Sequence, residues 1–336
     1  MRGHSTVPGV RKCGFMATPT PLRFRPDGTF TIVQFTDLHF QKCGAEDEAS
    51  RALMGRVLDA ERPDFVSYTG DMVSGWECPD PDRALRLALS PAVDRTIPFA
   101  AVFGNHDDEG PRTRAQLMAL MQDLPGCHAA PGPANLPGVG NYVLRVHEAT
   151  WERTGAVLHC VDSLAYPPKG RGLGTYAWIS VEQGAWHQAE CRALAVERPD
   201  WREAVPSLAY FHIPLTEYLE VWETHACRGE KHEEVCSPAI NGGFFTALLD
   251  AGQVLGTFVG HDHINDYEGD LHGIRLCYGR AGGFASYGRE GFLRGARVVR
   301  LHAGKRSFET WCRLEDGSVH GNPPLHAPER PPAEKK

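Results

Sequence analysis

"FTDLHF" (residues 35–40) ends an apolar run with an aspartate and a histidine that stand one residue apart. The run that leads into it, "TFTIVQF", is short and rich in β-branched and aromatic residues, which is typical of a buried strand. In a D-x-H sequence directly after a strand, the loop can turn so that both side chains face one ion. Asp37 and His39 therefore have two interpretations, either polar residues that close a strand or half of a metal site.

Four later apolar runs end in the same kind of residue. They end in Gly70-Asp71, in "GNHDD" (104–108), in "FHIP" at His212 and in "GHDH" (260–263). A turn favours Gly, Asn and Asp, but it has no need of five histidines. Because ligands bind beyond the carboxyl ends of strands in an α/β sheet, these residues are expected to meet at one edge.

The segments between the first strands have helical character, over residues 47–63, 81–93 and 113–124. Strands that alternate with helices predict an α/β sheet with parallel members. Asp71 offers two carboxylate oxygens and could bridge two ions at the strand ends. Two ions about 3.5–4 Å apart form a known clamp for in-line displacement at phosphorus.

Composition limits the function classes. The chain has 336 residues, 42% of them hydrophobic, and a formal net charge of −7. That charge gives no long-range attraction for nucleic acid or an anionic membrane, whereas a small anionic substrate stays compatible with a local metal charge. No apolar stretch approaches the roughly 20 residues that span a bilayer. The N-terminus lacks a secretory apolar region and the ten cysteines form no CxxC pair, so a cytoplasmic location is expected.

The chain is expected to form one domain, because no linker long enough to separate two domains is present. We predict an N-terminal extension over residues 1–27, partly disordered, with Met16 as an alternative start. A single domain over residues 28–315 follows. The last residues, 316–336, are Pro-rich and charged, and predict a disordered tail.

The order D-x-H, GD, GNH[DE], H and GHxH resembles the signature of the calcineurin-like metallophosphoesterase superfamily, which includes the purple acid phosphatases. Further runs, among them "GNHDDE", "FHIPLTEY" and "GHDHINDYEG", are similar to the purple-acid-phosphatase-like phosphatases of fungi, plants and bacteria. The resemblance implies a four-layer α/β/β/α sandwich of two mixed sheets. It departs at Ser74, where purple enzymes have a tyrosine, so neither a purple colour nor a tightly held ferric ion is expected.

The resemblance also implies roles for individual residues. It implies one ion held by Asp37, His39, Asp71 and His263, and a second held by Asp71, Asn105, His212 and His261. His106 would act as proton donor or charge stabiliser, and Asp107 would orient it. The mixed N and O ligands suit two transition-metal ions, Fe, Mn or Zn.

The expected activity is metal-dependent hydrolysis of a small phosphorylated substrate, a phosphomonoester, by direct attack of metal-bound hydroxide. One alternative is a phosphodiesterase acting on cyclic nucleotides or lipid head groups. Another is a catalytically silent phosphate-binding protein, although this chain keeps every ligand of the signature and His106.

Two further features have open interpretations. Arg280 follows a strand end, where its guanidinium could bind the substrate phosphate or have a structural role. The loop over residues 223–236 contains His225, Cys227, His232 and Cys236. It is either a small zinc site or a long surface loop that overhangs the predicted active site.

Overall fold

The structure, a computed structural model, describes residues 20–150 and 152–330, and its strands form two sheets. The first sheet contains β1 (Thr29–Phe35), β2 (Phe65–Thr69), β3 (Phe99–Val102), β11 (Gly295–His302), β12 (Phe308–Leu314) and β13 (Val319–His320). Their spatial order is β13-β12-β11-β1-β2-β3. Strands β1, β2 and β3 are parallel, while β11, β12 and β13 add antiparallel pairs, so the sheet is mixed.

The second sheet is larger and also mixed. It contains β4 (Tyr142–His147), β5 (Thr154–Cys160), β6 (Ser207–Tyr210), β7 (Cys227–Arg228), β8 (Val254–Val259), β9 (Glu268–Leu271), β10 (Ile274–Tyr278) and β14 (Leu325–His326). Their spatial order is β14-β7-β9-β10-β8-β6-β5-β4. The central strands β5, β6, β8 and β10 are parallel, and the outer pairs are antiparallel.

Helices cover the outer faces of both sheets. They are α1 (Ala45–Glu61), α2 (Pro81–Asp94), α3 (Arg114–Gln122), α4 (Val181–Glu197), α5 (Trp201–Ala204), α6 (Glu217–Thr224) and α7 (Phe244–Ala251). Helix α1 packs on β1 and β11 and is flanked by α2, which in turn contacts α3. Helix α7 packs on β8 and against α4, while α6 packs on β9.

The two sheets face each other across a shared core. Gln34 of β1 donates from Nε2 to the Val259 carbonyl at the end of β8 (3.0 Å). Tyr142 of β4 donates from its hydroxyl to the Ala101 carbonyl of β3 (2.7 Å). One buried apolar cluster includes Ile32 of the first sheet and Phe258 of the second. The expected α/β class, a sandwich of two mixed sheets with helices outside, is confirmed.

The ends of the domain differ from the prediction. Leu22 and Phe24 are buried in the core, so the folded unit begins before residue 28. The prediction of a disordered tail is wrong for residues 319–330, because β13 pairs with β12 and β14 pairs with β7. Residues 1–19, with Met16 and most of the expected extension, and residues 331–336 lie outside the described part of the chain. In the described ranges, no helix is both long and apolar enough to cross a bilayer.

Candidate metal centre

Five strand ends meet at one edge of the sandwich, as the order of the motifs predicts. The loops after β1 and β2 are joined where Asp37 N donates to the Gly70 carbonyl (3.2 Å). The loop after β8 reaches them because His261 N donates to the Asp37 carboxylate (3.0 Å). All seven residues predicted as ligands are buried: Asp37, His39, Asp71, Asn105, His212, His261 and His263. Polar groups buried at this density need partners.

Glycines at two strand ends allow this close approach. A Cβ at Gly104 would lie 2.1 Å from Asp71 Oδ1, and one at Gly260 would lie 1.9 Å from Thr36 Oγ1. Neither distance is possible for a real side chain. Packing therefore requires glycine at both positions, Gly104 of the GN pair and Gly260 of the GH pair.

The first group of potential ligands contains Asp37, His39 and His263, whose ligand atoms lie within 4.8 Å of one another. The Nε2 atoms of the two histidines are 3.1 Å apart. His263 Nε2 is 3.6 Å from Asp37 Oδ1. Burial lowers the pKa of His39 and of His263 to about 4, so both imidazoles are neutral near pH 7.

The second group contains Asp71, His212 and His261, also within 4.8 Å. His212 Nε2 is 3.2 Å from Asp71 Oδ2 and 3.3 Å from His261 Nδ1. The same Asp71 oxygen is 3.6 Å from His39 Nε2 in the first group. Asp71 therefore lies between the two groups, where one carboxylate could serve both.

The polar atoms of both groups fit transition-metal ions. Two neutral imidazole nitrogens that face each other at 3.1 Å can be joined by one N–H···N hydrogen bond, or both can direct their lone pairs at one cation. Asn105 Oδ1 and His261 Nε2 are buried without any hydrogen-bond partner. Burial alone would lower the pKa of His212, but the Asp71 carboxylate raises it to about 9, so this position favours positive charge. The donor set of imidazole, carboxylate and amide suits Fe, Mn or Zn.

In three of these histidines, a contact of the Nδ1 atom fixes the orientation of the imidazole ring. Nδ1 of His39 is 2.9 Å from Ser74 Oγ, and Nδ1 of His212 is 2.8 Å from the Thr69 carbonyl. Nδ1 of His263 is 3.3 Å from the Tyr287 carbonyl. Each contact leaves Nε2 free to face an ion, which is the usual arrangement around metal-binding histidines. Ser74, the residue that departs from the purple-enzyme pattern, supports His39 in this way.

His106 lies at the rim of the centre, with its ring centroid 5.3 Å from that of His39. Its Nδ1 is 2.6 Å from Glu109 Oε2. The other Glu109 oxygen accepts from the Tyr166 hydroxyl (2.6 Å), which itself accepts from Asn105 Nδ2 (3.1 Å). Burial alone would lower the pKa of His106, but Asp71 and Glu109 raise it above its usual value. The ring is thus suited to carry a proton near neutral pH.

The expected role of Asp107 in orienting His106 is wrong. The Asp107 carboxylate accepts from the backbone N–H groups of Asp71 (3.0 Å), Val73 (3.0 Å) and Gly104 (2.8 Å). It therefore joins the loops after β2 and β3 and fixes the backbone of Asp71. Glu109 is the carboxylate that contacts His106, and "GNHDDEG" contains both, so the order of acidic residues alone could not choose between them.

The expected contact of Arg280 with substrate is also not supported. Its side chain is 2% exposed, and Nη1 donates to Asp266 Oδ2 (2.7 Å) while Nε donates to the Leu293 carbonyl (2.6 Å). The guanidinium also lies over the Phe292 ring, 3.2 Å from its centroid. These contacts occupy the guanidinium inside the domain. Arg280 therefore has the structural role and not the phosphate-binding one.

The 223–236 loop forms no zinc site among the described residues. His225 bonds Thr224, and His232 bonds Glu230, while Cys227 is buried on β7. Cys236, by contrast, lines the cleft above the ligand groups. The interpretation as a loop that overhangs the centre is therefore the better one.

A cleft of about 340 Å³ opens above the centre. Besides the histidines already described, its walls include Gln41, Ser74, Trp76, Glu77, Tyr176, Cys236, Asp262, Ala285, Ser286 and Tyr287. Tyr287 stacks on His263 (4.1 Å between centroids), and Tyr176 meets His261 edge-on (4.4 Å). The sequence motifs did not indicate these two aromatic residues. Tyr287 lies in the glycine-rich run "GGFASYG" (282–288), which could have marked it, whereas no motif surrounds Tyr176.

Comparison with known proteins gives a consistent result. A family model described as calcineurin-like phosphoesterase matches residues 30–265. An Arabidopsis thaliana protein named probable inactive purple acid phosphatase 29 is 35% identical over 330 residues, covering 88% of this chain and 85% of that protein. The Saccharomyces cerevisiae phosphatase DCR2 is 33% identical over 326 residues, covering 86% of this chain and 54% of that protein. The crystal structure of a dimetal phosphatase from Danio rerio is similar in fold, with a TM-score of 0.53 at 15% identity, covering 84% of this chain and 98% of that one.

Proposed function

The chain belongs to the calcineurin-like phosphoesterase family, and we propose that it is a phosphomonoesterase with a dinuclear transition-metal centre. Membership of the family makes it a metal-dependent phosphoric ester hydrolase that acts on phosphorylated substrates. The observation that carries the finer proposal is the position of Asp71 between two groups of ligand atoms, with His106 at their rim.

The proposed ligand sets share Asp71. Asp37, His39, Asp71 and His263 would hold one ion, and Asp71, Asn105, His212 and His261 would hold the other. Fe, Mn or Zn would supply positive charge for the phosphate oxygens and lower the pKa of coordinated water. The carboxylates of Asp37 and Asp71 neutralise only part of the charge of two divalent ions, so the centre would be positive. A positive centre suits an anionic substrate despite the net charge of −7.

His106 is the proposed proton donor to the departing alkoxide oxygen. It is 35% exposed on the cleft side, so a substrate oxygen can reach its ring. Glu109 accepts from Nδ1, which keeps the ring oriented with Nε2 toward the cleft and stabilises its protonated form. Tyr166 holds Glu109 in turn. The exposed indole of Trp76 and the ring of Tyr287 offer apolar surface for the organic part of the ester.

A reducing, cytoplasmic location is part of the proposal. The nine cysteines of the described residues are free thiols, and most are buried.

Hydrolysis assays test the proposed function. Protein loaded with Mn, Zn or Fe is compared on p-nitrophenyl phosphate and bis-p-nitrophenyl phosphate, as wild type, Asp71→Asn and His106→Gln. We expect the monoester to be preferred, Asp71→Asn to lose metal and turnover, and His106→Gln to lower kcat by about 10²–10⁴-fold, the range for a general acid. Asp123→Asn, an exposed carboxylate at the end of α3, is the matched control.

The outcomes separate the alternatives. Preference for the diester would overturn the monoesterase assignment in favour of a phosphodiesterase. The word "inactive" in the name of the Arabidopsis relative raises the silent alternative for this chain. Metal bound without turnover of either ester would overturn the catalytic assignment and leave that alternative, a phosphate-binding protein.

A further inference from the structure

A second cluster of metal-binding side chains lies away from the strand-end centre. His159 is on β5, and His187 and Cys191 stand four residues apart on α4, so that they share one helix face. The exposures of these three residues are 1%, 0% and 2%. The His187 ring also contacts Phe244 of α7, which places the cluster between the eight-stranded sheet and its helices.

The ligand atoms of this cluster are close together. One ligand atom from each residue lies within 4.8 Å of the other two. His187 Nε2 is 3.4 Å from Cys191 Sγ, and the two imidazole centroids are 4.6 Å apart. A tetrahedral ion with ordinary Zn–N and Zn–S bonds separates its nitrogen and sulfur ligands by about 3.6 Å. The observed N···S distance therefore needs little change to accept an ion.

Several nitrogens of the cluster have no other partner. In the described part of the chain, both ring nitrogens of His159 and Nδ1 of His187 are buried without a hydrogen bond. Buried imidazoles in native proteins nearly always have a partner, because leaving them unpaired costs free energy. Burial lowers the pKa of His187 to about 4 and that of His159 well below its usual value, so their lone pairs are available to a cation.

Cys191 is one of the residues that line a surface groove. It has a volume of about 380 Å³, and its walls include Gln188, Cys191, Trp201 and Gln253. Gln253 donates from Nε2 to the Cys191 carbonyl (2.6 Å), and its Oε1 is buried without a partner. The groove brings solvent close to Cys191, and Gln253 adds another unsatisfied polar atom beside this residue.

We propose that His159, His187 and Cys191 bind one thiolate-preferring transition-metal ion, separate from the catalytic pair. Binding forms a metal–sulfur bond and two metal–nitrogen bonds, and the Cys191 proton is released to solvent. Two neutral imidazoles and one thiolate suit zinc or monovalent copper. Monovalent copper leaves the buried site neutral, whereas zinc leaves one positive charge. The ion would join β5 to α4 and so act on stability.

Cobalt substitution tests the proposal, because the strand-end centre has only nitrogen and oxygen among its proposed ligands. The full chain is refolded with Co²⁺, and the thiolate-to-cobalt charge-transfer absorption in the near ultraviolet is recorded. We expect this band in the wild type and its loss in Cys191→Ser and in His187→Gln. Cys236→Ser is the control, since Cys236 lines the catalytic cleft, and it should keep the band.

Metal counting provides the second arm and identifies the ion. Chains refolded with zinc, and separately with monovalent copper, are compared with Cys191→Ser by elemental analysis. We expect one ion fewer in Cys191→Ser for the preferred metal, whatever the occupancy of the strand-end centre. Circular dichroism checks that each variant is folded. No thiolate band in the wild type, and no excess ion over Cys191→Ser with either metal, would overturn the proposal even if a variant failed to fold.

Discussion

The backbone of the proposed ligands is unusual at the scale of single residues. Asp37, His39, Asp71 and His261 have φ values of 53°, 50°, 50° and 77°, in the left-handed region that non-glycine residues rarely adopt. Each costs free energy that the surrounding packing must offset, and such residues are concentrated at functional sites. The sharp turns they form are what direct side chains from separate loops into one small volume.

Glu109 provides a prediction at this scale. A carboxylate next to an imidazole stabilises the protonated ring, so Glu109→Gln should lower the pKa of His106. The protonated donor would then be lost at lower pH. We expect the alkaline limb of the kcat/KM profile to move down by about one pH unit, the lower range for a nearby opposite charge.

Glu77→Gln is the matched control for this profile. Glu77 also lines the cleft, but its carboxylate bonds Gln41 (2.6 Å) and not His106. An equal shift in both variants would mean that general cleft charge, and not the Glu109–His106 contact, sets the pKa.

Residue types and their order predict the members of the candidate site but not all of their contacts. Seven potential ligands could be named because each follows an apolar run; the structure brings six of them together in two groups, and the seventh, Asn105, is buried in the loop after β3. The partner of His106 could not be chosen, because Asp107, Asp108 and Glu109 are adjacent in "GNHDDE" and loop geometry decides which one faces the ring. Arg280 was open to two interpretations, and only its packing under Phe292 and against Asp266 chooses between them.

At the scale of elements, Arg114 at the start of α3 ties the loop after β3 to the end of β5. Its guanidinium donates to the Gly104 carbonyl (2.7 Å), to Asp108 (3.1 Å) and to the buried Asp162. Asp162 in turn accepts from the Val139 and Leu164 backbone N–H groups. This network holds the "GNHDD" loop in place, although Arg114, Asp108 and Asp162 are not themselves proposed ligands.

Removal of Arg114 should therefore destabilise the fold. Arg114→Leu leaves the Asp162 charge buried without its cation, and we expect the free energy of unfolding to fall by about 3–5 kcal/mol. Urea unfolding measures the change, with Arg86→Leu on the exposed face of α2 as control. If Arg114→Leu were no more destabilised than this control, the pair would not be the anchor that the contacts indicate.

The C-terminal strands show what local sequence cannot predict. Composition marks residues 316–336 as Pro-rich, but β14 pairs with β7, nearly a hundred residues earlier in the chain. His326 stacks on Trp222 with 3.6 Å between centroids, and Arg330 pairs with Glu223 (2.6 Å). Such long-range pairing depends on where an edge strand is free, which the tail's own residues do not encode.

Truncation tests the contribution of this tail. A chain that ends at Ser318 should lose the contacts to Trp222 and Glu223, and we expect a loss of about 1–3 kcal/mol in the free energy of unfolding. Thermal unfolding compares it with a chain that ends at Arg330. Equal Tm values for the two would contradict a stabilising role. Hydrolysis should be the same in both, because the tail does not line the cleft.

At the scale of the whole molecule, bound ions should stabilise the fold. The two ligand groups draw on loops from both sheets, so ions held there would link the two halves of the sandwich. An ion present at 100 times its Kd adds about 2.7 kcal/mol for each site. We expect Tm to rise by at least roughly 5 °C when Mn or Zn is added to chelator-treated protein.

Asp71→Asn and Asp123→Asn separate specific binding from general salt effects. The first variant should lose most of the rise in Tm, because Asp71 is the proposed ligand of both ions, and the second should keep it. A rise of the same size in both variants would place the stabilising metal elsewhere in the molecule.

The most direct test of a dinuclear centre is anomalous X-ray diffraction from crystals grown with Mn or Zn, measured at the absorption edge of the metal. We expect two anomalous peaks at the strand ends, about 3.5–4 Å apart, with the Asp71 carboxylate between them. A single peak, or two peaks that do not share Asp71, would rule out the proposed dinuclear centre.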